Sequence, residues 1–402
     1  MDVLYGVRMA GPLAPYARGL AGELARLGFT ELSARGQLGL AAHLSRWLEA
    51  AGLGTAELTG PAVEAYLAAR RASGYTAYLT PKALAPLLGY LRALGVAPDA
   101  ELAAPRDRAE ELLERYRCYL LGERGLQVKV ARGYLDLVRP FVTRCAAGGG
   151  AGPGRLTAGD VTAFLTAESR RLAPKTAQRL ATALRSLLRF WHVEGLVSGP
   201  LDRAVPKVAN RRPGLPRGLE PVQVQALLAS CDRQGAAGRR DLAMLILLAR
   251  MGLRAGEVAG LGLDDIDWRR GEITICGKGN RRDRLPLPAD AGEAIADWLQ
   301  HGRPSTALDR SVFIRIKAPH QGLTSGGVTQ AVAAAARRAG LGTIYAHRLR
   351  HSAATAMLAG GGSLAEIGQV LRHRRPATTA AYTKVSIEAL RALARPWPGT
   401  SS

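Results

Sequence analysis

Apolar residues recur every three or four positions through most of the first half of this chain, the spacing that lines one face of an α-helix. In Ala34–Ala50, Leu38, Ala41, Ala42, Leu44, Trp47 and Leu48 fall largely on one side. The next helix is predicted to begin at Thr59, an N-cap residue, with Pro61 inside its first turn. The pattern then repeats. LTGPAVEAYL (58–67) matches LTAGDVTAFL (156–165) 98 residues on, ARGQL (34–38) matches ARGYL (131–135) at 97, and LAPLLGYLRALGV (84–96) matches LRSLLRFWHVEGL (184–196) at 100. Three segments in one order at a near-constant offset predict two copies of a helical unit, over roughly 15–100 and 110–200.

Two stretches interrupt the periodicity. Residues 95–107 carry two prolines and little pattern, and residues 201–221 carry four prolines among several basic residues, Arg211 and Arg212 included. Beyond 218 the pattern changes. EPVQVQALLASC, RRDLAMLILLARMGL, LTSGGVTQAVAAAARRAGL and AHRLRHSAATAMLAGG read as helices. SLAEIGQVLRH reads as a short one, opened by Ser363 with Glu366 three residues later. EITI and DRLPL flank a glycine-bearing turn, GKGNRR, and predict a β-hairpin. The expected fold is mainly α with a small antiparallel β-hairpin or sheet in its last part: two N-terminal helical domains followed by an α+β domain.

A chain of 402 residues exceeds one ordinary core, so two or three domains are expected. No apolar run is long enough to span a membrane and no secretory leader is read at the N-terminus. Cys118, Cys145, Cys231 and Cys276 are scattered, without metal-ligand spacing, which fits a reducing cytoplasm and predicts neither disulfides nor a metal. The formal net charge of +22 points to a polyanionic partner, and nucleic acid leads. The charge is uneven: residues 1–100 hold 9 basic and 7 acidic side chains, so the excess lies later. Arginine outnumbers lysine 48 to 7, as in GC-rich bacterial genomes.

Against that background a few residues stand out. Arg254 precedes Glu257 by three positions on a helical start, where the carboxylate can hold the guanidinium. Lys278 sits between glycines at the hairpin tip, a mobile proton donor. HRLRH sets His347 and Arg350 on one face; arginine can take two phosphate oxygens at once and histidine can exchange a proton near neutrality. LRHRRPATTAAY adds His373 and, nine residues later, Tyr382. A phenol becomes a useful nucleophile when cations hold the phosphate it attacks and a base stands close. No phosphate-binding GxxxxGK[ST] loop and no carboxylate cluster for two-metal chemistry is visible.

In order and spacing, Arg254 in GLRAGE, Lys278 in GKGNRR, His347–His351, and His373 with Tyr382 resemble the active-site boxes of the tyrosine recombinase (phage integrase) family. The resemblance covers about 218–395, and 107–200 looks like the family's helical core-binding domain. It implies a core-binding domain at 105–200, a linker at 201–217, a catalytic domain at 218–395 and a tail at 396–402; the N-terminal helical domain at 1–104, read from the repeat, is additional to the family's minimal two-domain pattern. It implies that Arg254 and Arg350 clamp the scissile phosphate, with His347 and His373 hydrogen-bonding it and His347 a candidate base. Lys278 would protonate the leaving 5′ oxygen, Tyr382 would form a 3′-phosphotyrosine, and Glu257 would orient Arg254. Neither metal nor other cofactor is implied. Arg211, Arg212, Arg281, Arg282, Lys175 and Arg179 are expected to lie along DNA.

The implied activity is site-specific cutting and rejoining of double-stranded DNA by a homotetramer on two sites, with possible accessory proteins or partner recombinases, in the bacterial cytoplasm and nucleoid. A type IB topoisomerase and a non-catalytic sequence-specific DNA-binding protein are the alternatives. Ile387, Leu390 and Leu393 predict a terminal helix that docks on a neighbouring subunit. The near-neutral first helical copy is expected to bind another protomer rather than flanking DNA. Arg372 departs from the family, which usually has glycine before the histidine.

Overall fold

The computed structural model describes residues 3–99, 107–147, 152–208, 218–277 and 281–372. Lys278, His373, Tyr382, Arg211, Arg212 and the expected docking helix lie outside them. The described residues pack into two compact units: one holds those up to 98, apart from 59–61, together with those from 218 on, and the other holds 59–61 and 99–208.

The chain opens with a short hairpin, β1 (Val3–Leu4) and β2 (Val7–Arg8), then four helices: α1 (Ala17–Arg26), α2 (Glu31–Ala50), α3 (Gly60–Ala72) and α4 (Pro81–Ala93). Thr30 caps α2 by accepting the Ser33 N–H, and Pro81 opens α4 where no intrahelical donor is needed. The second unit holds α5 (Arg108–Leu121), α6 (Val128–Ala147), α7 (Ala158–Arg171) and α8 (Pro174–Val193). Thr157 and Asp160 close a capping box at the start of α7.

Many of the same positions face inward in both sets, although buried Ala42 corresponds to exposed Arg139. Ala17, Leu20, Ala21 and Leu24 of α1 are buried, and so are Ala109, Leu112, Leu113 and Tyr116 of α5, 92 residues on. Ala34, Ala41 and Leu44 answer to Ala131, Val138 and Phe141 at an offset of 97. Val63, Tyr66 and Leu67 answer to Val161, Phe164 and Leu165 at 98, and Leu84, Leu87, Leu88 and Leu91 to Leu184, Leu187, Leu188 and Trp191 at 100. Such a correspondence through four successive helices is what two copies of one helical unit would show. Ser45 departs from the apolar pattern, standing where α6 has Val142. Its buried hydroxyl donates to Ala10 O at 2.5 Å and accepts from Leu13 N at 3.0 Å, which secures the N-terminal strand-to-helix turn.

From 218 the chain forms α9 (Pro221–Ala229), α10 (Ala236–Arg250), α11 (Ala255–Ala259), β3 (Ile266–Asp267), β4 (Glu272–Cys276), β5 (Arg282–Pro286), α12 (Ala289–His301), α13 (Ser325–Arg338), α14 (Ala346–Ala359) and α15 (Leu364–Val370). The strands form an antiparallel sheet in the order β3-β4-β5, with Ile273 opposite Leu285 and Cys276 opposite Arg282. Ile273 and Ile275 point into the core and their neighbours point out, the alternation a half-buried strand requires. From 242 to 249 α10 is apolar on every face, burying Met244, Leu245, Ile246, Leu247 and Leu248, because α12, α13 and α14 all pack on it. Each fully buried leucine contributes roughly 2 kcal/mol by apolar transfer.

Residues near the N-terminus meet this region directly. His320 N–H donates to Leu27 O at 3.1 Å. Gly28 has φ +83°, and a Cβ there would lie 2.0 Å from His320 Cδ2, so the imidazole sits where only glycine leaves room.

Candidate active site

The turn between α10 and α11 sets the first candidate side chains. Gly252, at φ +61°, reverses the chain after α10, and Arg254 follows as the N-cap of α11. Glu257, one turn in, folds back on the cap: its Oε2 accepts the Arg254 backbone N–H at 2.7 Å and its Oε1 meets Arg254 Nη1 at 2.6 Å. The carboxylate is almost wholly buried, whereas the Arg254 side chain remains 44% exposed. Burial alone would push the Glu257 carboxyl up; the Arg254 N–H and the guanidinium groups of Arg372 and Arg254 outweigh it and hold the carboxyl below its usual range. Glu257 therefore stays ionised and fixes a guanidinium whose outer edge faces solvent.

α14 supplies the second arginine. Ala346, Leu349, Ala353 and Ala354 turn its apolar face inward, and Arg350 is carried inward with them. Arg350 Nη1 donates to Gly252 O at 2.5 Å and its Nη2 to Leu371 O, just past α15. A Cβ on Gly252 would lie 2.5 Å from Leu371 Cδ2 and 3.4 Å from Ala353 Cβ. The glycine thus serves both its own dihedral and the close approach of three segments. His347 is exposed one turn before Arg350, its ring 5.8 Å and edge-on from that of half-buried His351. Burial first, then His347 and Arg350, pushes the His351 imidazole down, which favours its neutral form.

Arg254, Glu257 and Arg350 are therefore brought together by two turns and a helix end, and Arg372 joins them through a 2.6 Å contact with Glu257. In sequence Arg372 stands out only as a departure from the family's glycine; its part in the cluster depends on a contact with Glu257 that no spacing rule reports. The hairpin that carries Lys278 is held on both sides of its tip, where Gly277 N–H donates to Arg281 O at 2.7 Å. Arg281 and Arg282 are exposed there, Arg281 already engaged by Asp283 at 2.8 Å. Lys175 and Arg179 lie exposed near the start of α8, in the other unit.

The entry to this region is tied to α14. Ser352 Oγ accepts the Leu219 N–H at 2.6 Å and donates to Arg348 O at 3.0 Å, while Arg348 reaches Gly218 O at 3.3 Å. Gly218 and Leu219 are thus anchored on the helix that bears His347 and Arg350. A separate groove of about 560 Å³ opens between β2 and α2, lined by Arg8, Arg35, His43 and Arg46 with no carboxylate among its lining residues. His43 Nδ1 lies 3.0 Å from Arg46, and burial, then Arg46 and Arg70, disfavour its charged form.

Comparison with known proteins shows the family. A profile described as the phage integrase family matches residues 217–388. A Sinorhizobium fredii protein named as an integrase/recombinase, y4rA, is 40% identical over 399 residues, which cover 97% of this chain and 95% of that one. The chain belongs to the phage integrase family of tyrosine recombinases. Tyrosine recombinase XerD of Listeria monocytogenes is 32% identical over 285 residues, covering 69% of this family member and 94% of that relative. Among solved structures, XerH bound to palindromic difH substrate superposes with a TM-score of 0.58 at 18% identity, covering 74% of this chain and 98% of that one. A lambda integrase (75–356) dimer on a COC′ core site gives 0.54 at 16%, covering 72% and 98%. At those identities the structures establish the tyrosine recombinase fold, mainly helical with its small antiparallel sheet. No helix among the described residues is long and apolar enough to cross a membrane.

Proposed function

We propose that this chain is a site-specific DNA recombinase that cuts and rejoins double-stranded DNA, with Tyr382 as nucleophile. The observation that carries the reading is the convergence of Arg254, steadied by buried Glu257, with Arg350, bonded to Gly252 O and Leu371 O. Leu371 lies two residues before His373 and eleven before Tyr382, so the clamp is built at the threshold of the segment that bears the nucleophile.

In this reading Arg254 and Arg350 bind the nonbridging oxygens of the scissile phosphate. Tyr382 Oη attacks phosphorus as His347 takes its proton; the bond from phosphorus to the 5′ oxygen breaks, and Lys278 protonates that oxygen. His373 hydrogen-bonds the phosphate. The product is a 3′-phosphotyrosine and a free 5′-hydroxyl, and attack by a second strand's 5′-hydroxyl reverses the chemistry and reseals the backbone. Preorganised cations stabilise the charge as it develops.

The relatives' names support DNA as substrate: XerH is described on its difH site and lambda integrase as a tetramer on a Holliday junction. A tetramer on two sites, acting in the cytoplasm and nucleoid, follows by analogy. Residues 105–200 would form the core-binding domain, with Lys175 and Arg179 against the backbone, and 218–395 the catalytic domain. Residues 1–104 would be a diverged copy of the core-binding unit, a reading supported by the shared burial phase of four helices. Its cationic groove favours a phosphate-backbone contact over the protomer contact expected from its near-neutral charge.

A nicked suicide DNA carrying the site tests the reading. The wild-type chain becomes covalently joined to DNA through Tyr382, and Tyr382→Phe yields no adduct while still binding. An adduct formed equally well by Tyr382→Phe overturns it. Relaxation of supercoils without regard to site by a monomer would turn it towards a type IB topoisomerase.

A further inference from the structure

Arg372 carries a combination of features that packing alone does not call for. Its φ is +53°, the left-handed region that costs a residue with a Cβ about 1–2 kcal/mol. Its side chain is 7% exposed, so a charge is buried as well. Its buried Nε has no acceptor among the described residues, and its Nη1 donates to Val370 O at 3.1 Å. Glycine would adopt this backbone without strain. What offsets the strain and the desolvation is Glu257: Arg372 Nη2 lies 2.6 Å from Oε2, while Oε1 holds Arg254. One carboxylate is thus shared between Arg254 and Arg372. The residue before Arg372, Leu371, is bonded through its carbonyl to Arg350. Two consecutive residues, 371 and 372, are each tied to one arginine of the proposed phosphate clamp, one by backbone and one by side chain, and His373 is the next residue in the chain.

We propose that Arg372 is a positioning residue: through Glu257 it fixes Arg254, and with the Leu371–Arg350 bond it registers the start of the tyrosine-bearing segment against both clamp arginines. The inference rests on the recombinase reading above. Backbone strain kept at a functional site is held by the surrounding contacts, and here the holding contact is the ion pair itself. Arg372 contacts Glu257 with a single nitrogen, so a lysine ammonium can replace it in a way it could not replace a two-pronged guanidinium.

The test uses the full chain, a nicked suicide substrate, and separate measurement of DNA affinity and of the single-turnover rate of adduct formation at saturating protein. Arg372→Gly relieves the backbone strain, so it guards against simple unfolding; Arg372→Met keeps the bulk and the strain without the charge. Both are expected to bind DNA within about three-fold of wild type and to form adduct at least about ten-fold more slowly, whereas Arg372→Lys recovers most of the rate. A Gly or Met variant that cleaves at the wild-type rate overturns the proposal. So does Met matching Lys, which would make Arg372 a packing residue, or a loss of affinity equal to the loss of rate. If the wild-type chain itself gives no Tyr382-dependent adduct, the recombinase reading fails first, and that outcome is seen in the control lane before any Arg372 variant is compared.

Discussion

Arg350 donates to the carbonyl oxygen of Gly252 at 2.5 Å across 98 residues of sequence, and that bond joins the turn before Arg254 to the helix that bears His347. Arg350 is buried and its second bond goes to Leu371 O, so three segments depend on one side chain. Arg350→Met should leave two buried carbonyls without a donor, at about 1–3 kcal/mol for each orphaned group. A fall in thermal midpoint together with loss of the covalent adduct is expected; an unchanged midpoint would mean the two bonds carry no weight.

Gly252 itself is doubly constrained. Alanine there would have to hold φ +61° and bring its Cβ within 2.5 Å of Leu371. Gly252→Ala should destabilise by about 1–3 kcal/mol, the usual cost of a strained backbone residue. The slowing of adduct formation should exceed the loss of DNA affinity, because the displaced atoms adjoin Arg350. Denaturant unfolding and gel-shift titration measure the two effects.

Acidification should weaken the fold through Glu257 and His351. Glu257 is held below its usual pKa, so its contribution is complete above the unfolded value near 4.5 and is lost as pH falls through the lower folded value. His351 is pushed below its ordinary value near 6.5, so the unfolded chain takes up this proton first and stability starts to fall as pH drops through that value. Thermal midpoints measured from pH 7.5 down to about 2.5 should decline more gently in His351→Asn as pH falls through about 6.5, and in Glu257→Gln below about 4.5. A slope identical to wild type in either window would contradict the assignment for that group.

The groove lined by Arg8, Arg35, His43 and Arg46 predicts a phosphate contact that salt should reveal. Each phosphate neutralised adds about 0.9 to the slope of log affinity against log salt on duplex DNA. Arg35→Ala with Arg46→Ala should therefore reduce that slope by about one to two on a DNA site with long flanks, and by nothing on a site trimmed to the core. An equal slope on the long site would return the groove to the role of protomer contact.

Gly28 offers a probe of how the N-terminal residues meet the region after 218. A side chain at φ +83° with the His320 ring 2.0 Å away cannot be accommodated without displacement. Gly28→Val should break the Leu27–His320 hydrogen bond and expose this part of the chain to limited proteolysis, with little change in circular dichroism, since α1 ends at Arg26.

Much of this molecule was legible from residue order. Local periodicity placed α2, α10, α13 and α14 and the β4–β5 hairpin, because each reports only which face of its own element meets a core. The Ser363–Glu366 capping box and the Arg254–Glu257 pair were equally legible, since three-residue spacing on a helical turn brings such side chains together whatever surrounds them. The order and spacing of chemistry-bearing residues, from Arg254 to Tyr382, resemble the family in the sequence itself. Tertiary structure alone decided that Arg350 spends its hydrogen bonds on Gly252 and Leu371, that Arg372 shares Glu257 with Arg254, and that Leu27 meets His320. Those contacts join residues from 21 to nearly 300 positions apart. A pattern of period two or 3.6 records how one segment faces its surroundings, but not which distant segment will lie there; that is set only when the whole core closes and buried donors and acceptors must find one another.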